Sequence, residues 1–164
     1  MEIQLLNTKV HNRAEFDCGN QSLNLFLRQM ANQQAIKDTA RTYVLVEPQN
    51  PTEIVGFYTL TMTRLELAEL PDSLQKQSKF PLSAGLLARL GIDKKYQHQG
   101  YAKILLRDAL RNIYQASQII GFPIIVVDAK EGVADFYQKY GFMPIQQSPT
   151  RLYLMVRTLE KLLE

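Results

Sequence analysis

Apolar side chains recur at helical spacing from Gln21, where Leu23, Phe26, Leu27, Met30 and Ala31 fall on one stripe. That spacing predicts an amphipathic helix, with Asn20 or Ser22 placed to cap its start. A second stripe, Ala102, Leu105, Leu106, Ala109, Leu110 and Ile113, predicts another helix from Ala102 onward. Strand patterns lie around these helices. IQLL opens the chain, and Arg41–Glu47 and IVGFYTLTMTRLEL are rich in β-branched and aromatic residues on either side of the turn-forming PQNPTE. Leu86–Ile92 is an apolar run of strand length, and PIIVVDA is continuous enough for a strand covered on both faces. Between them, Ala68 to Phe80 is polar and bounded by prolines, which predicts a loop holding one helical turn. EGVADFYQKYGF predicts a helix closed by Gly141, and RLYLMVRTL alternates as a last strand would. The order of elements predicts one α/β (α+β) domain over 1–164, with helices packed on a central sheet.

Composition narrows the class. Hydrophobic residues at 46% and charged residues at 21% fit a globular chain of 164 residues. The single Cys18 has no partner for an internal disulfide, and His11 and His98 alone offer no metal-ligand spacing. A cytoplasmic, metal-free protein is the expectation, since no apolar stretch has signal-peptide or membrane-span length. The net charge of +3 is unevenly placed: Asp93 to Arg111 holds Lys94, Lys95, Lys103, Arg107 and Arg111 against Asp93 and Asp108, and five minus two is the whole excess. This run reads either as a solvated helix face with salt pairs or as a surface for a polyanion.

No G-x-x-x-x-G-K-[ST], G-x-G-x-x-G or G-x-S-x-G occurs, which removes the common nucleotide and hydrolase motifs. What remains is YQHQGYAKILL, a polar loop with one glycine opening a basic helix after a strand. The first N–H groups of a helix lack partners and carry the positive end of its dipole, so an anion binds there readily. Gly100 lets the backbone approach that anion, and Lys103 and Arg107 add charge. Pyrophosphate is the natural guest.

Gln97-His98-Gln99-Gly100-Tyr101-Ala102 resembles the Q/R-x-x-G-x-G/A motif of the GNAT (Gcn5-related) N-acetyltransferases, and Ala134–Phe142 is similar to that family's A-x-x-F-Y-x-x-x-G-F segment. The resemblance implies a mixed central sheet and acetyl-CoA as the acetyl donor. It also implies that Gln97, His98, Gln99, Gly100, Tyr101, Ala102 and Lys103 hold the pyrophosphate, with Leu90, Gly91 and Ile92 offering backbone groups to the pantetheine arm. Tyr137 then becomes the candidate general acid, because a phenol can protonate the departing thiolate. Tyr140 is second in line, and packing against the sheet is the alternative use of both rings.

Phe16-Asp17-Cys18-Gly19, Leu23, Phe26-Leu27 and Ala40–Val44 resemble the branch of that family found as toxins in type II toxin–antitoxin systems. That branch implies acetylation of the α-amine of aminoacyl-tRNA, a block of translation, a ribbon-helix-helix antitoxin as partner, and a homodimer. Arg28, Lys37 and Arg41 are the candidate RNA contacts, since phosphates supply most nonspecific affinity, with plain solvated surface as the alternative reading of each; Cys18 is expected to be a small buried residue and not a nucleophile. The rival expectation is an acetyltransferase for small-molecule or protein amines with the same donor site.

Overall fold

The computed structural model describes residues 1–130 and 132–163. Seven strands form a mixed sheet: β1 (Glu2–Leu5), β2 (Arg41–Val46), β3 (Gly56–Leu65), β4 (Leu82–Ile92), β5 (Ile124–Asp128), β6 (Met143–Ile145) and β7 (Ser148–Met155), in the order β1-β2-β3-β4-β5-β7-β6. The helices are α1 (Gln21–Leu25), α2 (Ala31–Ile36), α3 (Asp72–Gln75), α4 (Tyr101–Ile119), α5 (Ala134–Gln138) and α6 (Val156–Leu163). This is the expected α/β class with a mixed sheet flanked by helices. The chain divides into two compact units, Met1–Thr61 with Ala88–Ala109, and Met62–Leu87 with Leu110–Glu164. No helix among the described residues is long and apolar enough to cross a membrane.

In the first unit β1 pairs antiparallel with β2, and β2 with β3. Leu23, Phe26, Leu27 and Ala31 are buried as their spacing predicts, together with Phe16, Val44 and Phe57. Asn20 caps α1 by accepting from the Leu23 N–H at 3.2 Å, a bond that contributes about 1 kcal/mol at such positions. The stripe departs from expectation at Met30, which is 46% exposed. The physical reason is a π-turn over Phe26–Met30, where the Ala31 N–H reaches back five residues to the Phe26 carbonyl. The wide turn adds a residue to the helix, so Ala31 takes the inward position and Met30 rotates out.

Helix α4 starts in this unit and is held to β3 in two ways. The Tyr58 hydroxyl donates to Asp108 at 2.6 Å, and Gly56 lets the helix lie close: a Cβ there would stand 2.9 Å from the Leu105 Cδ1. Leu105, Leu106, Ala109, Leu110 and Ile113 are all buried, each Leu or Ile contributing about 1.5–3 kcal/mol by leaving water.

In the second unit β5 pairs parallel with β4 from Ala84↔Ile124 to Leu87↔Val127, and antiparallel with β7. Ile124 to Val127 are fully buried, as a strand covered on both faces requires. The segment 68–80 holds two helical turns where one was expected, Leu67–Glu69 and Asp72–Gln75. The last expected strand needs correction. β7 ends at Met155, and α6 takes over at Val156. Leu152, Leu154 and Val156 alternate inward as a strand, then Val156 and Leu159 are buried at helical spacing. Val156 fits both periods, which hid the change. The hairpin partner β6, unmarked by any alternation of its own, was also missed.

Candidate active site

β4 delivers the chain to a loop that polar groups hold in place. The buried Asp93 caps the turn Lys94–Tyr96, its Oδ1 accepting the Lys95 N–H at 3.0 Å, while its Oδ2 accepts the Asp17 N–H at 3.1 Å. The Asp93 and Lys94 N–H groups donate to the Val55 and Asp17 carbonyls, each at 2.9 Å. Gln97 Nε2 donates to the carbonyls of Ile92 and Cys18, both at 2.9 Å. On the other side Glu53 accepts from the Lys95 ammonium and, at 3.0 Å, from the Tyr96 hydroxyl. The Lys95 hydrogen bond, foremost, lowers the Glu53 carboxyl pKa below its ordinary value.

Beyond Gln97 the loop turns outward. His98, Gln99 and Gly100 are exposed, and both His98 (φ 63°) and Gly100 (φ 86°) adopt the left-handed conformation. A Cβ built on Gly100 would meet nothing within 4 Å. Glycine is therefore needed for the backbone angle, and the space over it is open. α4 begins one residue later, and Ile104 is the first residue to donate back, to the Gly100 carbonyl at 3.4 Å. As the first N–H groups of α4, those of Tyr101, Ala102 and Lys103 have no acceptor within the helix, and Gly100 has no side chain with which to cap them. The two readings of the basic run divide here. Lys94 and Lys95 pair with Asp17 and Glu53, whereas Lys103 and Arg107 are exposed and make no ion pair among the described residues. An open glycine, N–H groups without an acceptor in the helix, and cations without an ion pair among the described residues together fit a pyrophosphate.

The structure therefore brings Gln97 to Lys103 into one loop and helix start, following Leu90, Gly91 and Ile92 at the end of β4. Leu90 is half-buried and the other two are buried. The carbonyl of Ile92 is engaged by Gln97, and the Tyr101 ring lies edge-on to Tyr96 at 6.3 Å.

Tyr137 belongs to the second unit, on α5. Its Phe142 neighbour donates its N–H to the Tyr137 carbonyl at 3.4 Å, and Gly141 (φ 95°) donates to Gln138 at 3.0 Å. These two bonds make a Schellman closure, whose usual apolar contact is present too: the rings of Tyr137 and Phe142 lie 5.8 Å apart. Phe136 meets Tyr137 at 5.2 Å and Tyr140 at 5.5 Å. Tyr137 is 4% exposed and its hydroxyl donates to no described residue. Burial, and then the negative charge of Asp128, push its pKa up, so the phenol keeps its proton. Tyr140 is half-buried.

The three candidate RNA contacts lie in the first unit and differ. Lys37 is exposed. Arg41 pairs with Asp38 at 2.7 Å and donates to the Ala35 and Ala40 carbonyls. Arg28 is half-buried, donates to the Phe16 carbonyl at 3.2 Å, and has its Nε buried without a partner among the described residues. Lys37 is thus the least committed of the three. Cys18 is half-buried, with its Sγ 3.7 Å from the Asn20 carbonyl.

Sequence reasoning did not assign roles to Asp17, Asn24 and Asp93. Asn24 is buried, accepting the Cys18 N–H at 3.0 Å and donating to Asp17 at 2.9 Å. The signal available was the Asp-Cys-Gly-Asn composition, since Asp and Asn bind nearby backbone N–H groups in tight turns; the bond across to Asp93 left no local mark.

Comparison with known proteins follows the same line. Residues 38–144 match the acetyltransferase (GNAT) domain. A probable toxin TacT of Sinorhizobium fredii is 29% identical, over 98% of this chain and 94% of its own. A tRNA-acetylating toxin of Mycobacterium tuberculosis is 31% identical, over 87% of this chain and 84% of its own. The structure of AtaT complexed with acetyl-methionyl-tRNAfMet is similar with a TM-score of 0.89 at 30% identity, covering 99% of both chains. A Tyr-to-Phe mutant of the AtaT toxin, bound to the C-terminus of the antitoxin AtaR and acetyl-CoA, gives 0.83 at 26% identity over 98% and 96%.

Proposed function

The chain belongs to the GNAT acetyltransferase family, and on that footing we propose that it is a toxin that moves the acetyl group of acetyl-CoA onto the α-amine of aminoacyl-tRNA, stopping translation. The observation that carries the donor half of this reading is the open start of α4 at Gly100, where Ile104 is the first residue to donate back. The acceptor half is supported by the likeness to a tRNA-acetylating toxin and to AtaT complexed with acetyl-methionyl-tRNAfMet.

In this reading the N–H groups of Tyr101 to Lys103 hold the pyrophosphate, with Lys103 adding charge. Leu90, Gly91 and Ile92 present backbone to the pantetheine arm. The neutral amine attacks the thioester carbonyl, the C–N bond forms, and the C–S bond breaks. Tyr137 gives its proton to the departing thiolate and regains one from solvent, while the amine releases its own proton to solvent. An aminoacyl ester lowers the basicity of its α-amine, so little of it is protonated and no strong enzymatic base is required. A phenol kept protonated by burial is ready as donor at any physiological pH. That the AtaT relative was captured as a Tyr-to-Phe mutant supports a tyrosine in this role.

Lys37, Arg41 and Arg28 are the proposed acceptor-stem contacts, in that order of accessibility. A ribbon-helix-helix antitoxin and a homodimer complete the reading, together with a cytoplasmic location where charged tRNA is found. The test is incubation with labelled acetyl-CoA and total charged tRNA, followed by nuclease digestion. Label in an N-acetyl-aminoacyl nucleoside, absent with Tyr137→Phe, is the expected result. Label appearing only in free amines or protein would overturn the toxin reading.

A further inference from the structure

The motif glutamine and the Asp-Cys-Gly turn, about eighty residues apart in sequence, form one polar latch. Gln97 Nε2 has two hydrogens, and both are used, on the carbonyls of Ile92 and Cys18 at 2.9 Å. Two carbonyl partners can be met only by the NH2 end of the amide, so the side chain retains no N–H for a phosphate. Around this bond the turn grips the loop again: the Asp17 N–H donates to Asp93, the Lys94 N–H donates to the Asp17 carbonyl, and the Lys94 ammonium lies 3.5 Å from the Asp17 carboxylate. The turn is itself anchored to α1, since the buried Asn24 bonds both Asp17 and Cys18, and the Gly19 N–H closes on Asp17 at 2.9 Å.

We propose that Gln97 is a positioning residue, and that the Phe16–Asn20 turn, anchored through Asn24, is the support against which it sets the loop carrying His98 to Gly100. The loop needs such support. Two of its three outermost residues hold left-handed angles, and none of the three is buried. A loop free to relax those angles would turn its N–H groups away from the direction α4 gives them. The latch fixes both ends of the excursion, Ile92 before it and Gln97 at its base, and leaves the outward face unobstructed.

This inference rests on the reading of the loop as the acetyl-CoA pyrophosphate site, and the experiment separates the two. Acetyl-CoA affinity is measured by calorimetry on the full chain, with kcat at saturating acetyl-CoA beside it. Gln97→Glu keeps the size, removes both donors and sets a carboxylate against two carbonyl oxygens; it should weaken acetyl-CoA binding roughly tenfold or more, with kcat at saturation retained. Gln97→Arg restores donors at the same place and should recover most of the affinity. Asp17→Ala alters an exposed side chain on the support; it should weaken binding in the same sense, and in combination with Gln97→Glu should add less than the product of the single effects. If the wild type binds and Gln97→Glu or Asp17→Ala binds equally well, the latch is overturned and the donor site stands. If the wild type does not bind acetyl-CoA, the donor site and the latch both fall.

Discussion

The loop from Asp93 to Gly100 and the helical turn carrying Tyr137 are held by opposite kinds of force. The loop rests on hydrogen bonds and ion pairs among Asp17, Asp93, Gln97, Lys95 and Glu53, and its tip is open to water. Tyr137 rests on rings, Phe136 and Phe142, and is nearly dry. Each suits its proposed task. A highly charged group must arrive from water and meet N–H groups that are directed but not yet satisfied, which polar scaffolding allows. An acid must keep its proton until a thiolate appears, which burial ensures by disfavouring the phenolate. Both regions contain one left-handed glycine, Gly100 in the loop and Gly141 behind the tyrosine, so the same chemical change can be made in each.

The largest expected effect is in the dry region. Tyr137→Phe should lower kcat about 10²- to 10⁴-fold with acetyl-CoA affinity unchanged, the usual worth of a positioned general acid. Steady-state kinetics with charged tRNA reads this, and loss in Tyr140→Phe instead would move the acid to Tyr140. Phe142→Ala, which leaves a cavity beneath the Tyr137 ring, should cost about 3–5 kcal/mol in a denaturant titration. The two glycines come next. Gly141→Ala and Gly100→Ala carry similar backbone strain, about 1–2 kcal/mol each, but should express it differently: the first as a lower Tm, the second chiefly as weaker acetyl-CoA binding. Equal Tm losses with unchanged binding would erase the distinction between the regions.

The smallest effects are in pH dependence, and they have opposite signs. Hydrogen bonds from the Gly19 N–H and Asn24, in that order, and then the charge of Lys94 hold the Asp17 carboxyl below its ordinary pKa. A depressed carboxyl contributes stability above its unfolded pKa of about 3.9 and loses it as the pH falls further. The Tm advantage of wild type over Asp17→Asn should therefore close below about pH 4. Tyr137 has a raised pKa, so its contribution is intact below the unfolded value of about 10 and is lost as the pH climbs beyond it. Wild type should lose Tm relative to Tyr137→Phe in that alkaline range.

Particular residues show how much was legible beforehand. The α4 stripe was readable because Leu105, Leu106, Ala109, Leu110 and Ile113 obey one local period and are all buried. Gly141 was readable as a helix stop because its left-handed angle is a local demand. The π-turn at Phe26–Met30 was not, since one extra residue in a turn leaves the composition unchanged. Helix α6 was not, because Val156 satisfies the strand period before it and the helix period after it.

Among the candidate site residues, the sequence by itself determined the backbone part: a glycine opening a basic amphipathic helix is set by spacing and chirality within a few residues. It also determined the family, through two short motifs whose spacing the fold keeps. Only the tertiary structure decided what the side chains do. Gln97 turns inward to two carbonyls, Lys94 and Lys95 are neutralised while Lys103 and Arg107 have no ion pair among the described residues, and Tyr137 is dry enough to hold its proton. Each depends on partners brought near by chain closure: Cys18 lies 79 positions before Gln97 and Asp17 lies 76 before Asp93. Hydrogen bonding and burial act over a few ångströms of space, and no local pattern along the chain records which distant residue will occupy it.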